Sequence, residues 1–479
     1  MVAGGTVTIT QLLTRLAETS GIRDSLRVVG DERAEVADIT NDSRNVRHGS
    51  LYCCVRGEQH DGHDYAAQAV QSGATVLLVE RELASVGVPQ IVTGDSRETM
   101  GHLASAFFGH PSTALTVVGV TGTNGKTTTA HMLGSILEQS GKRTTVLGTL
   151  SGARTTPEAP ELQRTLATEH TKGTKAVVME VSSHALALKR VAGMRFAAAT
   201  FTNLGHDHLD FHKTYDAYFL AKASLFARHY ADRGIVNRDD AYGRKIAEAS
   251  DLSVVTYGRN DATDVRVTAE GSEFTWRGTR LQCTVGGEFN VMNAIAAATT
   301  AAELGVSKEN IAAGLAALPR VPGRFEHVNR GGEFVVLVDY AHTPEALRTV
   351  IAAAREVAAG RRVHVVFGCG GDRDASKRAE MGAASCLADA VVVTSDNPRN
   401  ENPQAIVDAI VSGVPADERR KLTVEVDRRR AIEHACANAE PGDVVVIAGR
   451  GHETMQSIAG TDVPFNDADV ARSVLGVAR

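Results

Sequence analysis

A strand, a glycine-rich turn and a helix in immediate succession constrain this chain more than any other feature. Residues 115–120 read LTVVGV, an apolar β-branched run; TGTNGK follows, and TTTAHMLGSILEQSGK then carries a helical pattern that Gly141 stops. A turn at a helix start aims backbone N–H groups and the positive end of the helix dipole at one spot, which suits a phosphate. Within Gly122-Thr123-Asn124-Gly125-Lys126-Thr127, Lys126 would neutralise β/γ-phosphate charge and Thr127 would reach magnesium. The spacing departs from the usual P-loop, because Val120 stands five positions before Gly125 where a glycine belongs. A turn that merely joined strand to helix would not call for a lysine followed by three threonines.

With 479 residues the chain is too long for one ordinary core, and three domains are expected. Residues 1–110 hold short apolar runs between polar turns, a small α/β unit that ends at a linker, His110-Pro111-Ser112. Residues 111–330 continue from the glycine loop with strands predicted at 176–181 and 197–202, and with looser alternation at 265–285 that suits antiparallel hairpins. Residues 331–479 alternate apolar runs (335–340, 363–369, 390–395, 444–449) with helical segments after Pro344 and around 377–387. That alternation argues for a parallel sheet covered on both faces, a Rossmann-like third domain. The fold class is α/β throughout.

The formal charge of −6, from 51 basic and 57 acidic residues, lacks the dense basic face of a nucleic-acid binder. No apolar run approaches a membrane span, and the first twenty residues lack the pattern of a secretion signal, so a cytoplasmic protein is expected. Six scattered cysteines without a CxxC pair read as reduced, mostly buried thiols.

Past the glycine loop, Glu180 ends the run AVVMEV, and Asp207-His208 follows FTNLGH just beyond another strand. A carboxylate and an imidazole at the carboxyl ends of neighbouring parallel strands converge on the crevice where such sheets bind ligands, which makes both candidate metal ligands. Taken alone, a glutamate at a strand end is usually solvated, and His206, His208 and His212 read as surface histidines. Their order after the glycine-loop lysine raises the functional reading.

TGTNGKTTT, EVSSHALALKR, FTNLGHDHLDFH, YFLAKASLF, EFNVMNAIAA, GRFE, VDYAHTPEAL and GCGGDRD occur in that order, and together they resemble the Mur ligase family. The resemblance implies an N-terminal UDP-binding domain, a central ATPase domain with a P-loop-like mononucleotide-binding parallel sheet, and a C-terminal domain that brings in the amino acid. It implies ATP, two magnesium ions, and a CO2-derived carbamate on Lys222. Lys126, Glu180, His208 and Lys222 become the catalytic set, with Thr127, Glu180, His208 and carbamylated Lys222 as metal ligands. Gly122 to Thr128, Asn290, Asn293, Arg324, Asp339, Tyr340 and His342 would hold the nucleotide. Ser43, Thr155, Thr156, Ser182 and Arg190 would hold the UDP-sugar peptide, although the segment between Gly148 and Thr155 is short where the family usually has a hairpin.

Asp396-Asn397-Pro398-Arg399 resembles the DNPR signature of members that add meso-diaminopimelate. Arg399 offers a planar fork for the second carboxylate, which lysine lacks. Arg373, Gly449 and Glu453 complete that set, with Arg450 where the family carries lysine. The implied reaction adds diaminopimelate to UDP-N-acetylmuramoyl-L-alanyl-D-glutamate through an acyl phosphate, in a monomer with small-molecule substrates alone. A lysine-adding or folylpolyglutamate-type ligase is the nearest rival, and a silent nucleotide-binding scaffold the rival from another class. A dehydrogenase reading of GCGGDRD is weaker, because Arg373 occupies the place of the third glycine.

Overall fold

A computed structural model describes residues 5–57, 60–329 and 331–476. Its first sheet has five strands, β1 (Arg27–Val29), β2 (Asp38–Thr40), β3 (Ser50–Cys53), β4 (Ala74–Val79) and β5 (Gln90–Val92), in the order β1-β5-β4-β3-β2. Only β1 runs antiparallel to its neighbour. Leu51, Val76 and Leu78 pack against Leu12, Leu16 and Leu103 of the helices Ile9–Ala17 and Ser96–Phe107. A Thr8/Gln11 capping box starts the first of these helices. Ala159 and Ala167 of the helix Ala159–Thr171 enter the same core, and Arg164 pairs with Asp38 at 2.5 Å, so the first unit is seated on the second.

The second sheet comprises β6 (Thr116–Thr121), β7 (Thr144–Leu147), β8 (Ala176–Glu180), β9 (Ala198–Phe201), β10 (Arg233–Asn237) and β11 (Ser253–Tyr257). All its pairs are parallel, in the order β11-β10-β9-β6-β8-β7. The chain winds to either side of β6, so the crevice at the carboxyl end of β6 is a topological switch point. Helix α1 (Lys126–Gln139) leaves β6, and α2 (Tyr215–Ala223) and α3 (Glu288–Glu303) follow. The looser alternation forms a three-stranded antiparallel sheet, β12 (Ala262–Val267), β13 (Ser272–Trp276) and β14 (Thr279–Cys283). Helix α1 ends at Gln139, with Gly141 in the left-handed region where a stop was expected. His110-Pro111-Ser112 differs from the linker reading: Pro111 opens a four-residue helix directly before β6, because its fixed φ suits the first helical position.

The third sheet holds β15 (Glu326–His327), β16 (Val335–Asp339), β17 (Val363–Phe367), β18 (Ala390–Val393), β19 (Leu422–Val424) and β20 (Val444–Ala448), in the order β15-β16-β20-β17-β18-β19. Short β15 is antiparallel and the rest are parallel. Helix α4 (Pro344–Ala358) packs on this sheet, and the hairpin β21 (Met455–Ile458) and β22 (Thr461–Pro464) stands outside it. Leu337 and Leu347 share an apolar cluster with Val118 and Ile295, joining the second and third units. The expected boundary at residue 330 lies outside the described residues.

Candidate active site

The turn after β6 needs its glycines for conformation and approach alike. Gly122 and Gly125 lie at φ +147° and +86°, and a Cβ on either would strike Thr202 or Asn293. Asn203 fastens the turn, its side chain accepting from Asn124 N at 2.9 Å and donating to Asn124 O at 3.1 Å. Lys126 Nζ folds back onto the carbonyls of Gly122 and Thr123 at 2.9 and 2.8 Å. Burial pushes the Lys126 ammonium below its ordinary range, while the Glu180 and Asp207 charges oppose that shift.

Glu180 is buried at the end of β8, where its carboxylate accepts from Thr127 Oγ1 at 3.0 Å and from Thr149 N at 2.8 Å. Arg324, two residues before β15, donates to Thr127 Oγ1 at 2.9 Å and lies 4.6 Å over the ring of Tyr340, so a cation from the segment leading into the third sheet reaches the glycine loop. Thr128 is buried beside Thr127 on the wall of the same cavity. Asp339 accepts from the backbone N–H groups of Phe325 and Ala341 at 2.7 and 2.8 Å, and burial raises its carboxyl. His342 donates Nδ1–H to Tyr340 O at 2.8 Å, which leaves Nε2 facing Asp207 at 3.9 Å.

Asn293 and Asn290 divide their roles. Asn293 faces the cavity and would meet a Cβ on Gly125, whereas Asn290 is fully buried, donating to Gly286 O and accepting from Asn293 at 2.8 Å. The structure therefore sets Asn290 behind the wall as a support for Asn293.

His208 sits in the left-handed region at φ +56°, capping the short helix Leu209–His212. Its Nε2 lies 3.4 Å from Asp207, and its ring 4.6 Å from that of His184. Burial lowers the imidazole and Asp207 opposes the shift. Lys222, on α2, is 1% exposed, donates to Gly122 O at 2.6 Å and lies 4.7 Å over Tyr218. Burial, with Lys126 nearby, drives its ammonium well below the ordinary range. Among the described residues no three His, Cys, Asp or Glu side chains stand close enough together to hold a metal by themselves.

On the far side of Glu180, Thr156 Oγ1 donates to Glu180 O at 2.9 Å and accepts from Ser182 N at 3.1 Å, and Ser182 caps the helix Ser183–Ala187. Arg190 pairs with Glu158 at 2.8 Å and donates to Thr156 O at 3.3 Å. The short segment after Gly148 closes on itself, Thr149 Oγ1 lying 3.1 Å from Thr155 Oγ1. Ser43 lies apart from these, in the short turn Ser43–Asn45 of the first unit that Asp42 caps. A cavity of about 550 Å³ runs from Thr155 and Ser182 past Lys126 to Arg324 and His342.

The Asp396–Arg399 loop is held by the hairpin. Gln456 donates to Asp396 O at 2.6 Å, Ser457 N to Asn397 Oδ1 at 3.0 Å, and Arg399 N to Ser457 O at 2.9 Å. Asn397 donates to Glu453 at 2.7 Å, and burial with neighbouring Asp396 raises the Glu453 carboxyl. Gly449, at φ +110°, leaves room for the Asp396 carboxylate. Arg399 spends one nitrogen on Gly371 O at 2.6 Å, while Glu401 pairs with Arg378 at 2.9 Å. Arg373 is exposed on the facing loop. Arg450 is fully buried and donates to Met455 O and Phe465 O, so it braces the hairpin base. Sequence reasoning passed over Thr149 and Asn203; the GT before the short segment and the FTNLGH motif were the available signals.

The model of the Mur ligase middle domain matches residues 120–301, that of the Mur ligase glutamate ligase domain 323–451, and that of the Mur ligase family catalytic domain 35–108. The chain belongs to the Mur ligase family. Among Mur ligases, it is 43% identical over 492 residues to the UDP-N-acetylmuramoyl-L-alanyl-D-glutamate–2,6-diaminopimelate ligase of Streptomyces coelicolor, covering 96% of each chain. The enzyme of the same name from Aquifex aeolicus is 41% identical over 458 residues, covering 92% of this chain and 94% of that one. A solved structure of a ligase of that name is 31% identical with a TM-score of 0.67, covering 94% of this chain and 96% of that one. A Mur ligase from Thermotoga maritima solved with ADP, at 22% identity and a TM-score of 0.62 over 91% of this chain and 96% of that one, shares the fold.

Proposed function

We propose that this Mur ligase joins meso-diaminopimelate to the D-glutamate side-chain carboxylate of UDP-N-acetylmuramoyl-L-alanyl-D-glutamate, with ATP cleaved to ADP and phosphate, as a cytoplasmic monomer in peptidoglycan precursor synthesis. The observation that carries it is a single cavity lined by Lys126, Thr127 and Glu180 on one side and by Arg324 and His342 on the other. ATP would lie along the glycine loop, and the acceptor carboxylate would enter past Thr155 and Ser182. That carboxylate attacks the γ-phosphorus, the bond to the β-phosphate oxygen breaks, and ADP leaves. The amine then attacks the acyl phosphate, loses a proton, and expels phosphate from the tetrahedral intermediate.

Lys126 and Arg324 supply positive charge where negative charge gathers on the transferring group. A lysine that donates to two loop carbonyls and, among the described residues, forms no ion pair can turn its ammonium to phosphate oxygens. Magnesium fits this donor set, since it is commonly held by one or two carboxylates together with substrate phosphates, and Glu180 and Thr127 would hold one ion with His208 and Lys222 serving a second. Lys222 fits a carbamate as well: it is a buried amine whose proton is easily lost and which, among the described residues, donates to the carbonyl of Gly122. Bound, the two ions would screen the phosphates from the incoming anion, and the carbamate would add negative charge beside the second. The acyl phosphate is tested by giving the enzyme ATP and the UDP-dipeptide with hydroxylamine in place of an amino acid. Expected is a UDP-dipeptide hydroxamate formed in step with ADP; ADP without hydroxamate would contradict the pathway.

A further inference from the structure

Each backbone N–H from Leu204 to His206 is taken by a different part of the molecule. Leu204 N donates to Asp240 at 3.0 Å, and Gly205 N to Thr123 Oγ1 at 2.9 Å, both within the second unit. His206 N donates to Glu345 Oε2 at 2.8 Å, and Glu345 lies in the first turn of α4, on the third sheet. An acid in a first turn ordinarily just offsets the helix dipole. Here Gly205 adds a second, independent observation. Its φ is not in the left-handed region, so the backbone does not require glycine there, yet a Cβ would strike Glu345 Oε2. The glycine serves close approach of this carboxylate. Two residues on stand Asp207, between His208 and His342, and His208 itself in a conformation that non-glycine residues rarely adopt.

We propose that Glu345 is a positioning residue that carries the seating of the third unit into the alignment of the Asp207–His208 loop. Of the acceptors of these three backbone N–H groups, it alone belongs to the third unit, so separation of the units releases His206 N while the other two bonds persist. Alignment of His208 with the glycine loop then exists only when the unit that delivers the amine is in place. Acyl phosphate would form only where its acceptor can reach it. This rests on the ligase reading above for the chemistry, but the contact itself does not depend on which amine is used.

The test compares wild type with Glu345→Ala, Glu345→Gln and Gly205→Ala in the full chain. Two readouts are taken: steady-state kinetics, and backbone hydrogen exchange of residues 204–208 with and without a non-hydrolysable ATP analogue. A misplacement of about 1 Å can cost about 100-fold in rate. Glu345→Ala and Gly205→Ala should each lower kcat by roughly 10- to 100-fold with little change in the KM for ATP, and the double variant should be no worse than either single one. Glu345→Gln, which keeps an acceptor oxygen, should recover most of the rate. The analogue should slow exchange of the loop in wild type and in Glu345→Gln, and not in Glu345→Ala. Unchanged kcat in Glu345→Ala, additive losses in the double variant Gly205→Ala/Glu345→Ala, or equal exchange protection in wild type and all the variants would overturn the proposal. A wild type that protects the loop yet uses another amine would sink the diaminopimelate reading and leave this one standing.

Discussion

His452 is a residue whose environment fixes a measurable pH dependence. Its Nδ1 is buried without a hydrogen-bond partner, and burial together with the Arg324 charge pushes the imidazole from 6.5 down to about 4. The folded protein refuses a proton that the unfolded chain accepts between those values. This share of stability is complete above pH 6.5 and is lost as pH falls towards 4. At about 1.4 kcal/mol per unit the ceiling is about 3 kcal/mol, reduced by solvent at a partly exposed ring. His452→Asn should therefore flatten the decline in unfolding temperature between pH 6.5 and 4; an unchanged slope in calorimetry would place the acid sensitivity elsewhere.

Among elements, the hairpin β21–β22 shows how a site can depend on a piece outside every main sheet. Ser457 N is spent on Asn397 Oδ1, so Ser457→Pro removes that bond while the hairpin keeps the Gln456 contact. Loss of one hydrogen bond of about 1–1.5 kcal/mol should raise the KM for the amino acid by roughly 5- to 10-fold, with the KM for ATP unaltered. Equal effects on both constants would mean that the hairpin has no particular tie to the amine loop. This hairpin was not legible in the sequence, because MQSI and TDVP lie largely exposed and lack a strand's apolar alternation. Likewise β7 and β19 were passed over: both are short edge strands without a fully buried residue. In contrast β8, β17 and β20 are buried throughout, and their largely apolar runs, broken only by Glu180 and His364, announced a parallel sheet. At the site, the glycine turn between β6 and α1 was readable from its glycines and from the lysine and threonines that open the helix, although its spacing departs from the usual P-loop. Asn290 and Glu345 were not readable in their roles, since a motif does not reveal whether a side chain faces a cavity, supports a neighbour, or reaches another unit.

Across the whole molecule, the second and third units meet through Glu345 on His206 and a shared apolar cluster, and Arg324, just before β15, reaches Thr127 of α1. A nucleotide site walled by two units couples binding to their approach and excludes water from a reactive acyl phosphate. The same arrangement puts the Asp396–Arg399 loop on the third unit, so under the proposed function the choice of amine and the assembly of the phosphate site would be linked. Arg399 keeps most of its fork free of ion pairs, because Glu401 is engaged by Arg378. A site that matches a carboxylate in this way can reject an analogue lacking it by roughly 10⁴-fold. The decisive measurement supplies enzyme, ATP and UDP-N-acetylmuramoyl-L-alanyl-D-glutamate with meso-diaminopimelate or lysine, and follows phosphate release and product mass for wild type and Arg399→Ala. The account predicts phosphate release coupled to the diaminopimelate tripeptide, lysine poorer by orders of magnitude, and a much smaller ratio in Arg399→Ala; a wild type that prefers lysine, or a ratio untouched by the substitution, would contradict it.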